Sequence, residues 1–154
     1  MYALGYLKGL IKAIIFWGAL IVGGVIFIVK AVKSNDIKRT DMNFINYCVS
    51  ILAQNGFQNI QITKDSPYYD IDILACKNGQ TYAIRCMNAS QTISENLIRK
   101  TLSGQNSYKC VYGVVMTNQY ITEAIASVAR RLNILIWDRG ALDQMSATRT
   151  LSEV

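Results

Sequence analysis

Two alternating runs, Asp70 to Cys76 and Thr81 to Met87, flank Lys77-Asn78-Gly79-Gln80. No other feature of the sequence restricts the fold as tightly. Asn-Gly between alternating hydrophobic runs is the strongest short-range hairpin signal, because a two-residue type I′ turn needs residues that tolerate positive φ. With Asn78 and Gly79 as the loop, Lys77 pairs with Gln80 and every opposed pair of residue numbers sums to 157. Cys76 then faces Thr81, Leu74 faces Ala83, Asp72 faces Arg85 and Asp70 faces Met87. Side chains alternate across a strand, so Ile71, Ile73, Ala75, Tyr82, Ile84 and Cys86 form a core face. The opposite, functional-looking face carries Asp70, Asp72, Arg85 and Met87. Cys76 and Cys86 fall on opposite faces, which argues against a disulfide between them.

The hairpin sits inside a longer alternation of elements. Asp41 to Gln54 carries Phe44, Cys48 and Leu52 at helical spacing, beside Ile45 and Val49, and Asn55-Gly56 stops it. Gln58 to Thr63 reads as a short strand with Ile60 and Ile62 on one face. After the hairpin, Ser94 to Leu102 is helical, with Leu97 and Ile98 inward and Glu95 four residues before Arg99. Lys109 to Thr117 reads as a buried strand. Ile121 to Leu132 is an amphipathic helix with Ile121, Ala124, Ile125 and Val128 inward; Asn133 to Trp137 is a last strand, and a short helix covers Ala141 to Met145. The order α-β-β-β-α-β-α-β predicts an α/β fold, a mixed sheet with helices on both faces.

A different constraint governs the N-terminal part. Ala13 to Val29 contains seventeen residues without a charge, and Leu10-Ile11 and Ala31-Val32 extend the run past Lys12 and Lys30. Lysines at such positions snorkel to the headgroups. About 20 apolar residues make ~30 Å of helix, the thickness of a bilayer core. The run is too long for a buried core helix, and no small-x-small cleavage site of a signal peptide follows it. The reading is therefore one transmembrane helix at about 10–32, within an anchor spanning 1–35. A folded domain spans 36–148 and a tail 149–154. Lys8 and Lys12 precede the helix, whereas Lys30, Lys33, Lys38 and Arg39 follow it, so the positive-inside rule places the C-terminal domain in the cytoplasm.

Charge and composition then narrow the chemistry. The chain carries 16 Lys and Arg against 10 Asp and Glu, a net +6. From Asp36 onward the count is 12 against 10, so the domain itself is only +2 and the basic balance is mostly a topology signal. The chain has no histidine. That excludes Ser-His-Asp and Cys-His catalysis, His-ligated zinc and a histidine general base. No glycine-rich phosphate loop is present. Cys48, Cys76, Cys86 and Cys110 contain no CxxC pair and are read as small buried hydrophobes in a reducing compartment.

The unit from about Asp41 to Met145 resembles the Mrr-type restriction endonucleases, a branch of the PD-(D/E)XK nuclease superfamily. The matching stretches are FINYCVSILAQNGF for the first helix, YYDIDILACKNGQTYAIRCM for the hairpin, and KCVYGVVMTNQYITEAIASVA and NILIWDRGALDQM for the later units. The resemblance implies a restriction-endonuclease-like fold and DNA as a partner. In that family a strand Asp and a Glu or Gln on the next strand hold a divalent metal such as Mg²⁺. A Lys two positions further on positions and activates the attacking water.

Carried over residue by residue, the Asp is Asp72, the Glu/Gln position is Arg85 and the Lys position is Met87. The acidic residue often found on the first helix falls near Ile45, which is apolar, and Asp70 stands where the family commonly has glycine. Arg85 across from Asp72 predicts a salt bridge and a fixed cation where Mg²⁺ would sit; Met87 neither bonds water nor stabilises charge. The expectation is a catalytically degenerate module that binds DNA or a protein partner at the membrane and needs no cofactor. A rescued, active endonuclease would use Asp70 with Asp72 as metal ligands and Lys100 or Lys77 as a migrated ammonium. Lys64, Arg99, Lys100, Arg130 and Arg131 are the candidate phosphate contacts, implied mainly by the resemblance, since ordinary surface cations look the same. Tyr68-Tyr69, beside Pro67, is either a loop anchor or a base-stacking pair.

Overall fold

Asn78 and Gly79 both take positive φ, 52° and 76°, as the two-residue turn requires. They do so in a computed structural model that describes residues 41–63 and 70–147. The expected membrane helix, the linker behind it, Lys64, Tyr68-Tyr69 and the tail lie outside those residues. No helix among the described residues is long and apolar enough to cross a membrane.

In chain order the described elements are helix α1 (41–54), β1 (Gln58–Ile62), β2 (Ile73–Lys77), β3 (Gln80–Met87), α2 (Glu95–Ser107), β4 (Tyr112–Thr117), α3 (Glu123–Arg131), β5 (Ile134–Trp137) and α4 (Arg139–Ala147). The strands form one sheet in the order β1-β2-β3-β4-β5. The pairs β1/β2 and β2/β3 are antiparallel, and β3/β4 and β4/β5 are parallel. The class and the order of elements agree with the sequence reading. Two successive parallel crossovers step across the sheet in the same direction, and right-handed connections put both crossover helices on one face. Accordingly α2 and α3 supply Ile98, Val128 and Ala129 to a core with Met87, Val115 and Ile134. On the other face α1 and α4 supply Cys48, Leu52 and Leu142 to a core with Ile73, Ile84 and Met116.

The hairpin register follows the sum of 157 from Lys77↔Gln80 to Ile73↔Ile84 and there it slips. Asp72 N–H donates to Ile84 O at 2.9 Å, although Ile84 is already the partner of Ile73. The slip and the docking of α2 each correct one expectation. Ile71 does not share the face of Ile73: a Cβ built on Gly104 of α2 would lie 2.5 Å from Ile71 Cγ1, so Ile71 packs beneath α2. Met87 does not belong to an open functional face. It is 3% exposed, packed with Ile98 and Val115. Both faces of the hairpin contribute to the core, and its charged residues are Lys77 at the turn, Arg85 within β3, and Asp70 and Asp72 just before β2.

Smaller differences have equally local causes. Helix α2 continues to Ser107, five residues beyond Leu102, through Ser103-Gly104-Gln105-Asn106-Ser107, where no apolar residue reports the period. Ala124 is exposed and Ala129, one face further round, is buried. On the edge strand β1, Asn59 at φ 52° marks an irregular register between Gln58 and Gln61, and Ile62 stays 40% exposed.

Candidate functional site

The strand end that leaves the regular ladder gathers the charged residues. Asp72 directly precedes β2, antiparallel to β3, which brings its carboxylate to the C-terminal end of β3. There Asp72 Oδ2 accepts the Cys86 N–H at 2.7 Å and Oδ1 accepts from Arg85 Nη1 at 3.3 Å. The same Nη1 lies 3.8 Å from Asp70 Oδ1, and Asp70 Oδ2 meets Lys100 Nζ of α2 at 3.1 Å. The result is a chain of alternating charge, Lys100–Asp70–Arg85–Asp72. It runs from the exposed surface of α2 to a carboxylate whose side chain is only 19% exposed. The sequence reading that paired Asp72 with Arg85 is seen directly. Lys100, one of the two candidate migrated ammoniums, reaches the cluster. Lys77 does not: its ammonium lies 5.0 Å over the Phe57 ring at the turn end of the hairpin.

A residue that the sequence reading passed over lies within electrostatic reach of Asp72. Asp41 lies one helical turn before Ile45 on the same face of α1. Its carboxylate accepts from Asn88 Nδ2 and, at 3.3 Å, from Gln91 Nε2. It also raises the energy of a charge on Asp72, as Asp70 does. The signal was an acidic residue four positions from the expected one. Asn88 is buried, and Gln119 Nε2 donates to the carbonyls of Asn88 and Gln91 at 2.8 Å each, which pins the segment after β3 to Asp41 and to the end of β4.

Burial pushes the Asp72 carboxyl above its ordinary range, and the neighbouring Arg85 cation and the Cys86 N–H oppose that shift only in part. A hydrogen bond with Cys48, then burial, pushes the Cys86 thiol well up, so this cysteine is an inert core thiol. Cys48, Cys76, Cys86 and Cys110 are all free; Cys48 and Cys86 are buried, whereas Cys76 and Cys110 are half-buried.

The donor set does not fit a divalent metal. Mg²⁺ needs near-octahedral oxygen ligation, yet the guanidinium of Arg85 stands between the two carboxylates that would supply it. No group of three or more acidic, Cys or His side chains among the described residues is gathered for a metal ion. Asp70 and Asp72, the metal ligands of the rescued-enzyme expectation, here share Arg85 as their cation. Met87, which the sequence reading set at the family's Lys position, packs into the core under α2 with Ile98 and Val115.

The remaining cation candidates are spread over the helices. Arg99 is bound to Glu95 on α2 at 2.6 Å, and Arg130 to Glu123 on α3. Both pairs are exposed, are worth little, and open readily to another anion. Arg131 stands beside Arg130 in the last turn of α3.

The restriction endonuclease family model Mrr_cat matches residues 38–146, and the chain belongs to that family. A crystal structure titled "Crystal Structure of Protein of Unknown Function AF1548" is similar with a TM-score of 0.54 at 15% identity, over 67% of this chain and 65% of that one. That likeness supports the fold, and this chain spans somewhat under two thirds of that protein's length. No curated protein matches the sequence.

Proposed function

We propose that this is a membrane-anchored, single-pass protein whose cytoplasmic restriction-endonuclease-like domain binds DNA without cleaving it. The observation that carries the reading is Arg85 Nη1 between Asp70 and Asp72. A permanent protein cation there satisfies the carboxylates that would otherwise recruit Mg²⁺, and Met87 supplies no substitute for the water-positioning Lys. Family membership supports DNA as the partner; Lys100, Arg99, Arg130 and Arg131 are the phosphate contacts of this reading, together with Lys64, which lies outside the described residues. The apolar run at 13–29 and the lysine excess behind it support the anchor and its orientation.

A second reading, an active metal-dependent endonuclease with a remodelled centre, draws on Lys100 reaching Asp70. One experiment separates them. The full chain in mild detergent is incubated with supercoiled plasmid and Mg²⁺ or Mn²⁺, and its affinity for duplex DNA is followed across a salt series. The expected outcome is no nicking and an affinity that falls with salt, by a logarithmic slope of roughly 0.9 per phosphate contact. Metal-dependent nicking abolished by Asp72→Ala establishes the enzyme instead. Absence of DNA binding at low salt leaves a module for a protein partner.

A further inference from the structure

Next to the charged cluster, at the same end of the sheet, a cavity of about 370 Å³ opens where β3, β4 and β5 finish. Ala89, Asn118 and Arg139 each follow one of these parallel strands and line it, and α1 and α4 close its sides. In open sheets, ligand crevices lie outside the carboxyl ends of parallel strands. Its floor is apolar, made by the buried Phe44 and Leu142. Tyr47, 44% exposed, tilts against Phe44 with ring centroids 6.1 Å apart and forms one wall. Arg139 also lines the cavity, and its guanidinium stands 5.9 Å over the ring of Tyr120, which lies outside the lining and is 71% exposed. Asn118 and Asp143 complete the rim, and neither side chain has a hydrogen-bond or ion-pair partner among the described residues.

We infer that this cavity holds a single nucleobase turned out of a DNA strand. An apolar floor, aromatic rings and a planar guanidinium take a π-face, while Asn118 offers an amide N–H₂ donor and one acceptor oxygen, and Asp143 two more acceptor oxygens, to a ring edge. Extruded bases are held by these two kinds of contact. The rim carries one cation and one anion, so it selects a neutral heterocycle over a phosphate. Its volume lies at the lower end of ligand clefts and suits one nucleoside rather than a peptide. Asp41 links the cavity to the charged cluster: it bonds Asn88, which directly precedes Ala89. A strand whose phosphates run along Lys100 and the neighbouring cations thus has a place for one unpaired base. The inference rests on DNA as the partner, and the experiment distinguishes failure of that reading from failure of the cavity.

The full chain in detergent is titrated with three probes: a matched duplex, the same duplex with one unpaired 2-aminopurine, and the free 2-aminopurine nucleotide. The bulged duplex is expected to bind about fivefold or more tighter than the matched one, with a change in 2-aminopurine emission. Tyr47→Ala and Arg139→Gln, both at exposed positions, should each remove that preference and leave matched-duplex affinity unchanged within twofold. Equal affinity for the two duplexes, or a preference that survives both substitutions, overturns the cavity assignment while DNA binding stands. If neither duplex binds but the free nucleotide does, and Tyr47→Ala abolishes it, the cavity assignment holds for a mononucleotide and the DNA reading falls. Binding of none of the three overturns both.

Discussion

Asp72 is held by opposing influences of unequal strength. Burial raises its pKa, and Arg85 with the Cys86 N–H offsets that only partly. The folded state therefore takes up this proton more readily than the unfolded chain, whose Asp titrates near 3.8. Stability from this group is fully present below that value and is lost as pH rises through the higher folded pKa. Asp72→Asn removes the dependence. Its stability relative to the parent is expected to be flat below about pH 3.8 and to increase above it, read from denaturation midpoints at a series of pH values. The opposite slope would mean that Arg85 dominates and the pKa is depressed. Arg85→Ala tests the partner. Removing the cation leaves the Asp72 carboxylate buried without its counter-charge and Asp70 held by Lys100 alone, at a cost of roughly 1–3 kcal/mol near neutral pH once the partial exposure of the pair is discounted. The loss should shrink on acidification as Asp72 takes a proton. An undiminished loss at low pH would assign the role of Arg85 to packing.

At the level of elements, the contact between α2 and the strand end decides the geometry of the cluster. Gly104 lets α2 lie directly on Ile71, between Asp70 and Asp72. Gly104→Ala improves helix propensity by up to ~1 kcal/mol, but its Cβ would stand 2.5 Å from Ile71 Cγ1 and 2.9 Å from Cδ1. Overpacking of that kind costs about 1–3 kcal/mol. A net destabilisation is expected, together with a weakened Lys100–Asp70 pair, since the residue after Asp70 must move. Unfolding of the variant and the salt sensitivity of its stability check this; a stabilised variant would show that Ile71 has room to turn aside. The hairpin, by contrast, was legible residue by residue. Asn78-Gly79 fixed the turn, the alternation fixed both strand faces, and the register is correct for the five pairs from Lys77↔Gln80 to Ile73↔Ile84. It fails at Asp72 because a carboxylate there replaces a backbone carbonyl as the acceptor of the Cys86 N–H, and periodicity carries no information about such an exchange.

For the whole molecule, the net charge of +6 divides unevenly: the sequence from Asp36 onward holds only +2 of it. A positive-inside reading of the flanking lysines makes a directional prediction. In sealed vesicles presenting the cytoplasmic face inward, added protease should leave the restriction-endonuclease-like domain intact until detergent is added. Its digestion from outside would reverse the orientation. Function is then a matter of which charges converge. The sequence named Asp72, Arg85 and Met87 by position and Lys100 as a candidate, but it gave no means of ranking Lys100 over Lys77, because that choice depends on where α2 lands on the sheet.

Local chemistry alone determined the mixed α/β order, the hairpin with its turn and most of its register, the apolar stripes of both cores, and the absence of histidine chemistry. Each of these depends on residues near one another in the chain. Tertiary structure decided that Met87 is sealed under α2, that Asp41 ties α1 to Asn88 behind β3, and that Arg85 stands between Asp70 and Asp72. Those outcomes come from helices docking on both faces of a twisted sheet, which sets side chains distant in sequence within a few ångströms.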